Sequence, residues 1–326
     1  MSAQAELPQP RRQWQFAAIG TTWWIGLYQP LGDADFAGLQ EAVAELAEQY
    51  DARYSRFRPD SLVSRWAKKA GTYALPPDAQ PLLDMYAKLY EITDGAVTPL
   101  VGQLLSDAGY DANYSLTPKP VARLRRPPSW QSVLRVDGSD ITLLKPALLD
   151  FGAAGKGYLV DQICELLEGR GIRRYCVDGS GDMRCSLPAE HGEPAMPLAI
   201  GLENPHNTKQ VIGVAQLAGG ALCGSAGNRR TWGAQNGAAS QGAHAKPLYT
   251  HIMNPFTRQS QNNYQAVWVT AETALLADGL TTALYFTDPA TLQRHFQFTY
   301  ALVLADGGLQ ASKNFPAQFF TAEAAA

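Results

Sequence analysis

The 326-residue chain is 46% hydrophobic and carries a formal net charge of −3. That is enough apolar material for a packed core, without the basic excess that a nucleic-acid backbone requires. No stretch reaches the roughly 20 apolar residues of a membrane span, so neither nucleic acid nor stable membrane insertion is expected.

Arg11 and Arg12 precede "FAAIGTTWWIGLY", which superficially copies an export signal. Its two tryptophans and central Gly-Thr-Thr read instead as a β-strand, and no small-residue cleavage site follows. As written, the chain is expected in the cytoplasm, or in the periplasm or exported if its N-terminus was trimmed. From Asp35 to Tyr50, the recurrence of Phe36, Leu39, Val43, Leu46 and Tyr50 opposite Glu41, Glu45 and Glu48 predicts an amphipathic helix. A second helix is expected from an Asp78 N-cap to Asp94-Gly95. "SVLRVDGSDITLL" alternates about Asp137-Gly138 and predicts a hairpin.

A helix beginning near Gly157 is expected to bury Leu159, Ile163, Leu166 and Leu167 and to close at Gly169 to Gly171, with "RYCVDGSGDM" running from strand into loop. Strands are expected at "PLAIGL", "VIGVAQLA", "YTHIMN", "QAVWVTA" and "YALVLAD", and helices around Glu272 to Phe286 and Pro289 to His295. Without a regular βαβ beat this argues for an α+β fold. Gly233 to Lys246 reads as a mobile loop. The four cysteines, Cys164, Cys176, Cys185 and Cys223, lack metal-ligand spacing and read as small core residues.

"LLDFGAAGKGYLVDQI" places three glycines and a lysine between an apolar run and a helix. It fails as a P-loop, because Gly152 is too close to Gly155 and Gly157 stands where a hydroxyl is needed; it also lacks dinucleotide-fingerprint spacing. Glycines, a helix N-terminus and Lys156 nevertheless suit an anion, although a tight turn with a solvated lysine has the same pattern. Downstream, "LLADGLTTALY" puts Asp278 and Thr282 four residues apart on one helical face, a pair of hard oxygen ligands suited to magnesium.

These residues carry a family resemblance. "DFGAAGKGYLVD" is similar to the glycine-lysine signature of the FAD:protein FMN transferases, the ApbE family, and "ADGLTTAL" resembles that family's metal helix. "AIGTTWWI", "YSRFRPDSLVSRW", "TDGAVTPLVGQLL", "VDGSGDM", "CGSAGNRR" and "YTHIMNP" follow the family's order. The resemblance implies one α+β domain over 15–320, with mixed, largely antiparallel sheets, flanking helices and an FAD cleft, after a flexible segment 1–14. It further implies magnesium-dependent transfer of FMN from FAD to a threonine of an acceptor protein, with release of AMP.

Carried over by position, the metal ligands would be the Ala153 carbonyl, Asp278 and Thr282, with Thr281 a weaker candidate. FAD would contact Ile19, Ala96, Val97, Thr98, Asp150, Lys156 and Met253. His251 and Asp278 would be catalytic, with His251 the imidazole placed closest to the chemistry, although it is also readable as a structural histidine bonded to a carbonyl. Ile19, Thr98, Trp66 and Asn254 depart from the family's usual residues. An FAD pyrophosphatase and a non-catalytic FAD-binding protein remain the alternatives, and "DGLTTA" also resembles the acceptor motif itself.

Overall fold

The computed structural model describes residues 9–189, 195–233 and 248–320. The expected mobile loop therefore lies, apart from Gly233, outside the described residues. The first expected strand is a hairpin: β1 (Arg12–Ala18) pairs with β2 (Thr21–Leu27) across a turn in which Ile19 and Gly20 have φ of 41° and 76°. Two positive φ values match the twist of the flanking strands, and an isoleucine at the first is strained. β1 includes Arg12, Gln13 and Trp14 of the segment expected to be flexible, so that expectation does not hold for these three residues.

Next come α1 (Asp33–Tyr54), α2 (Leu62–Trp66), β3 (Gly71–Ala74) and α3 (Gln80–Ile92). Asp78 does not cap α3, whose N-cap is Ala79. The Asp78 carboxylate instead accepts from Arg53 at 2.7 Å and Gln162 at 3.0 Å, tying α1 to the later glycine-turn helix. Two short helices, α4 (Gly102–Asp107) and α5 (Trp130–Val133), lead to the predicted hairpin of β4 (Leu134–Asp137) and β5 (Asp140–Leu143).

The glycine turn opens α6 (Gly155–Gly169), two residues earlier than expected. "RYCVDGSGDM" is a third hairpin rather than strand and loop, formed by β6 (Tyr175–Asp178) and β7 (Asp182–Ser186). Then follow β8 (Leu198–Asn204), β9 (Asn207–Leu217), β10 (Gly219–Ala226), β11 (Thr231–Trp232) and β12 (Tyr249–Thr250). "YTHIMN" is thus strand only at its first two residues, with a lone bridge from Met253 to Ser260. The chain ends with β13 (Tyr264–Ala271), α7 (Ala274–Ala283), α8 (Pro289–Gln293), β14 (Thr299–Leu304), β15 (Leu309–Ala311) and β16 (Ala317–Phe319).

Eight strands form one sheet in the order β1-β2-β6-β7-β10-β13-β14-β15, and each neighbouring pair is antiparallel. Side chains alternate across it. Ala221, Cys223, Val267 and Val269 face a core shared with α1, α3, α6 and α7, whereas Leu222, Ala266 and Trp268 face the small sheet β16-β9-β8 through Leu202, Ala215 and Leu217. Burial on both faces explains why "QAVWVTA" lacks an exposed polar side. A third cluster, including Leu104, Tyr110, Trp232, Tyr249 and Met253, joins α4 to β11 and β12.

Cys176 and Cys185 oppose one another across β6 and β7 and are joined as a disulfide, a pairing that spacing alone did not reveal. Cys164 and Cys223 are buried free thiols, as expected of core residues. Among the described residues no helix is long and apolar enough to cross a membrane.

α6 packs tightly on α7 at Gly157, where an added Cβ would lie 2.1 Å from the Ala274 carbonyl oxygen. Backbone cannot yield there, so Gly157→Ala is expected to destabilise the protein by at least about 1–3 kcal/mol in urea denaturation. Gly169→Ala, at the open end of α6 where a Cβ meets nothing within 4 Å, is the control and is expected to be neutral or stabilising. Equal effects at both positions would refute the packing argument.

Candidate active site

The turn before α6 is built around Asp150. Its Oδ1 accepts the Gly152 N–H at 2.7 Å, its Oδ2 accepts from Arg56 Nε, and its own N–H donates to the Pro99 carbonyl at 2.7 Å. These bonds draw the segment Ala96-Val97-Thr98 to the glycine turn. Thr98 is buried, and its hydroxyl accepts the Leu100 N–H at 3.2 Å, a local cap. Arg56 is buried too, donates to the Tyr110 carbonyl at 2.7 Å and lies 4.2 Å from the Phe57 ring centre. A buried cation stays favourable only with such partners.

One turn along, the Gly157 N–H donates to Asp278 Oδ2 at 2.8 Å. In a helix begun a turn earlier that amide would serve the Ala153 carbonyl; instead, among the described residues, no backbone amide outside the regular elements donates to Ala153. The Ala153 N–H donates to the Tyr86 hydroxyl at 3.0 Å, which fixes the turn from below. Asp278 is buried, and burial, reinforced by the charge of Asp182, holds its carboxyl well above the usual range against the opposing effects of Lys156 and the Gly157 amide.

Lys156 is not a solvated lysine. Its ammonium lies 2.8 Å from Asp182 Oδ2 and 3.4 Å from the Ser180 carbonyl. Burial alone would depress it, but the carboxylates of Asp182 and Asp278 more than offset that and leave its pKa raised. Thr282 is half-buried one turn beyond Asp278. Thr281 is only 1% exposed and its hydroxyl donates to the Asp278 carbonyl at 2.7 Å, so it is out of reach of a modifying enzyme.

His251 Nδ1 is buried without a hydrogen-bond partner among the described residues. Burial pushes the imidazole pKa down to about 4, helped by the charges of Arg230 and Lys156 and opposed by Asp150 and a bond to the Arg230 backbone. Both readings of this histidine therefore have a physical basis: it is neutral, it neighbours the site's charges, and it touches a carbonyl. Met253 is buried in the third cluster, and Asn254 Oδ1 accepts the Phe256 and Thr257 amides at 2.9 and 3.0 Å, the turn-capping work an aspartate would also do. Trp66 is buried in the main core beside Tyr73. Ile19 packs against the main core, while next to it Gly20 lies near the hydroxyl of Tyr114, which stacks on Phe57 at 5.0 Å.

Three charged residues escaped the sequence reading. Asp182, Arg56 and Arg230 lie within the motifs "VDGSGDM", "YSRFRPDSLVSRW" and "CGSAGNRR", but nothing in those strings says that Asp182 and Arg56 are buried while Arg230 stays exposed over the Tyr110 ring. The signal was position within a motif; orientation came only with packing.

A sequence profile described as the ApbE family matches residues 19–301. A curated relative from Vibrio cholerae named FAD:protein FMN transferase is 26% identical over 273 residues, covering 82% of this chain and 78% of its own. One of the same name from Haemophilus influenzae is 24% identical, covering 75% and 71%. Among solved structures, the ApbE protein of Thermotoga maritima matches with a TM-score of 0.77 at 21% identity, over 93% of this chain and 97% of that one. The flavin transferase ApbE of Vibrio cholerae matches at 0.72 and 23%, over 94% and 99%. These structures establish the fold.

The depressed His251 pKa has a sign that can be checked. Between its ordinary value of 6.5 and about 4, the unfolded chain binds a proton that the folded one does not, so stability falls as pH drops through that window. His251→Gln is expected to flatten the melting temperature across it. Identical slopes for both proteins would show that the imidazole is not held neutral.

Proposed function

The chain belongs to the ApbE family, and from that premise we propose that it transfers the FMN half of FAD to a threonine hydroxyl of an acceptor protein, releasing AMP, with magnesium as cofactor. The observation that carries the reading is the α6–α7 junction. There a buried carboxylate, Asp278, takes an amide from the glycine turn next to the Lys156 ammonium, while among the described residues no backbone amide outside the regular elements donates to the Ala153 carbonyl.

The donor set suits magnesium. One carboxylate, one carbonyl and one hydroxyl, from Asp278, Ala153 and Thr282, are hard oxygens, and this ion takes few protein ligands and fills its remaining positions from water and phosphate. Thr281 is the weaker candidate because its proton is committed to the helix backbone. Among the described residues no cluster of three His, Cys, Asp or Glu could hold a metal by itself, and the proposed site needs only one carboxylate. The chemistry a bound magnesium supplies is neutralisation of charge on the phosphate oxygens.

The chain's own groups do the rest. Lys156, held by Asp182, presents a fixed charge to the pyrophosphate. Asp150, Ile19, Ala96, Val97, Thr98 and Met253 are assigned to the FAD pocket; Val97, Thr98 and Met253 are buried, so they shape its wall largely through backbone atoms. Phosphate charge opposes the effect of Lys156 and Arg230 on His251 and moves its pKa back towards the ordinary range. The imidazole can then take the threonine proton as the hydroxyl oxygen bonds to phosphorus and the bond to the departing AMP oxygen breaks.

Incubation with FAD and magnesium, with and without an acceptor carrying a flavinylation threonine, tests the reading. Covalent flavin on the acceptor is expected. Free FMN and AMP regardless of acceptor would make the protein a pyrophosphatase, and unchanged FAD in both reactions would leave only a binding protein. Asp278→Ala is expected to reduce turnover at least about a hundredfold; wild-type rates would remove Asp278 from the metal site.

A further inference from the structure

The glycine-turn signature ends on an aspartate that the proposed reaction does not use. Asp161, on α6, is 4% exposed, and both its oxygens are engaged. Oδ1 accepts the Ala274 N–H at 2.9 Å and the Arg184 guanidinium at 2.8 Å, while Oδ2 accepts the Leu275 N–H at 2.7 Å. The first two amides of α7 are therefore capped by a carboxylate from another helix. Only the third is capped locally, Leu276 N–H donating to the Thr273 hydroxyl at 3.3 Å.

The same end of α7 is fixed on two further sides. The Ala274 carbonyl sits against Gly157 and accepts the Cys223 thiol at 3.6 Å. Arg184 comes from β7, where it lies two residues from Asp182 and so on the same face of the strand; the two are paired in register with Ala221 and Cys223 of β10. One strand face thus anchors both halves of the candidate site. Asp182 holds Lys156, and Arg184 holds Asp161, which holds the helix carrying Asp278.

We infer that Asp161 and Arg184 are positioning residues that set the height of α7 against α6, and through it the metal affinity of Asp278 and Thr282. This rests on the proposed magnesium site. Sliding α7 by a single residue moves its side chains about 1.5 Å along the axis. Magnesium demands near-ideal octahedral geometry at about 2.0–2.1 Å, so such a slip would spoil the ligand set while leaving the FAD-contacting residues on other elements in place. A plain helix cap predicts something different: lower stability with an unaltered metal response.

The pair can be tested with Asp161→Asn, which cannot accept two amides and balance a guanidinium, and with Arg184→Gln and Arg184→Lys. Each folded variant is compared with wild type by direct Mn2+ titration, by the magnesium dependence of turnover, by KM for FAD, and by exchange of the Gly157 amide in metal-free protein. Asp161→Asn and Arg184→Gln are expected to weaken metal binding by about tenfold or more, with KM for FAD within about twofold of wild type and faster Gly157 exchange. Arg184→Lys should recover part of the loss, because the charge remains while the fixed fork is gone. Unchanged metal affinity in these variants would overturn the inference, as would a parallel decline of every parameter with stability. Should the wild type itself show no divalent-metal dependence, the proposed function falls, and Gly157 exchange alone decides the positioning claim: unchanged protection in the variants would end it. If Asp161→Asn does not fold, the two Arg184 variants carry the comparison.

Discussion

The contact between the first turns of α6 and α7 is the constraint on which the site depends. A glycine is required at position 157 because the Ala274 carbonyl and the Asp278 side chain occupy the space a Cβ would need, at 2.1 and 2.7 Å. The backbone of Gly157 is not in the left-handed region. Its job is close approach. Once two helices touch at that distance, the amide of one falls on the carboxylate of the other, and the local geometry of Lys156, Asp278 and the Ala153 turn follows from the packing.

That arrangement concentrates charge where water is scarce. Lys156 with Asp182, Arg56 with Asp150 and Arg184 with Asp161 each combine an ion pair with backbone hydrogen bonds, which is the condition under which buried charges are tolerated. Asp278 is the exception. It accepts the Gly157 amide and lies near the Lys156 ammonium, yet burial and the charge of Asp182 still hold its carboxyl well above the ordinary range. The positive φ of Ile19, in the β1–β2 turn, is a local backbone cost, and such costs persist only where the surroundings over-determine them.

Much of the architecture was legible because period and punctuation are local. α1, the β4–β5 hairpin, α6 and β13 follow from apolar spacing and turn residues, with boundaries off by a few positions. The misreadings share a cause. Ile19-Gly20 is a turn that an isoleucine disguises; Asp78 resembles a cap but is recruited by Arg53 and Gln162 from distant segments; β10, rich in glycine, shows no strand pattern until β7 and β13 flank it. Cys176 and Cys185 meet only because β6 and β7 pair in one register.

By itself the sequence determined the family and the α+β class and suggested the proposed donor set, since a glycine-lysine turn and an aspartate with a threonine four residues on are statements about neighbours along the chain. Tertiary structure decided which polar residues turn inward and what each one holds. Asp182, Arg56 and Arg184 stand far in sequence from their partners, and whether a carboxylate meets an ammonium, a guanidinium or a helix end depends on which strand face and which helix are brought together. Gly157 joins the two levels: the sequence marked it as special, and the packing of α7 supplied the reason.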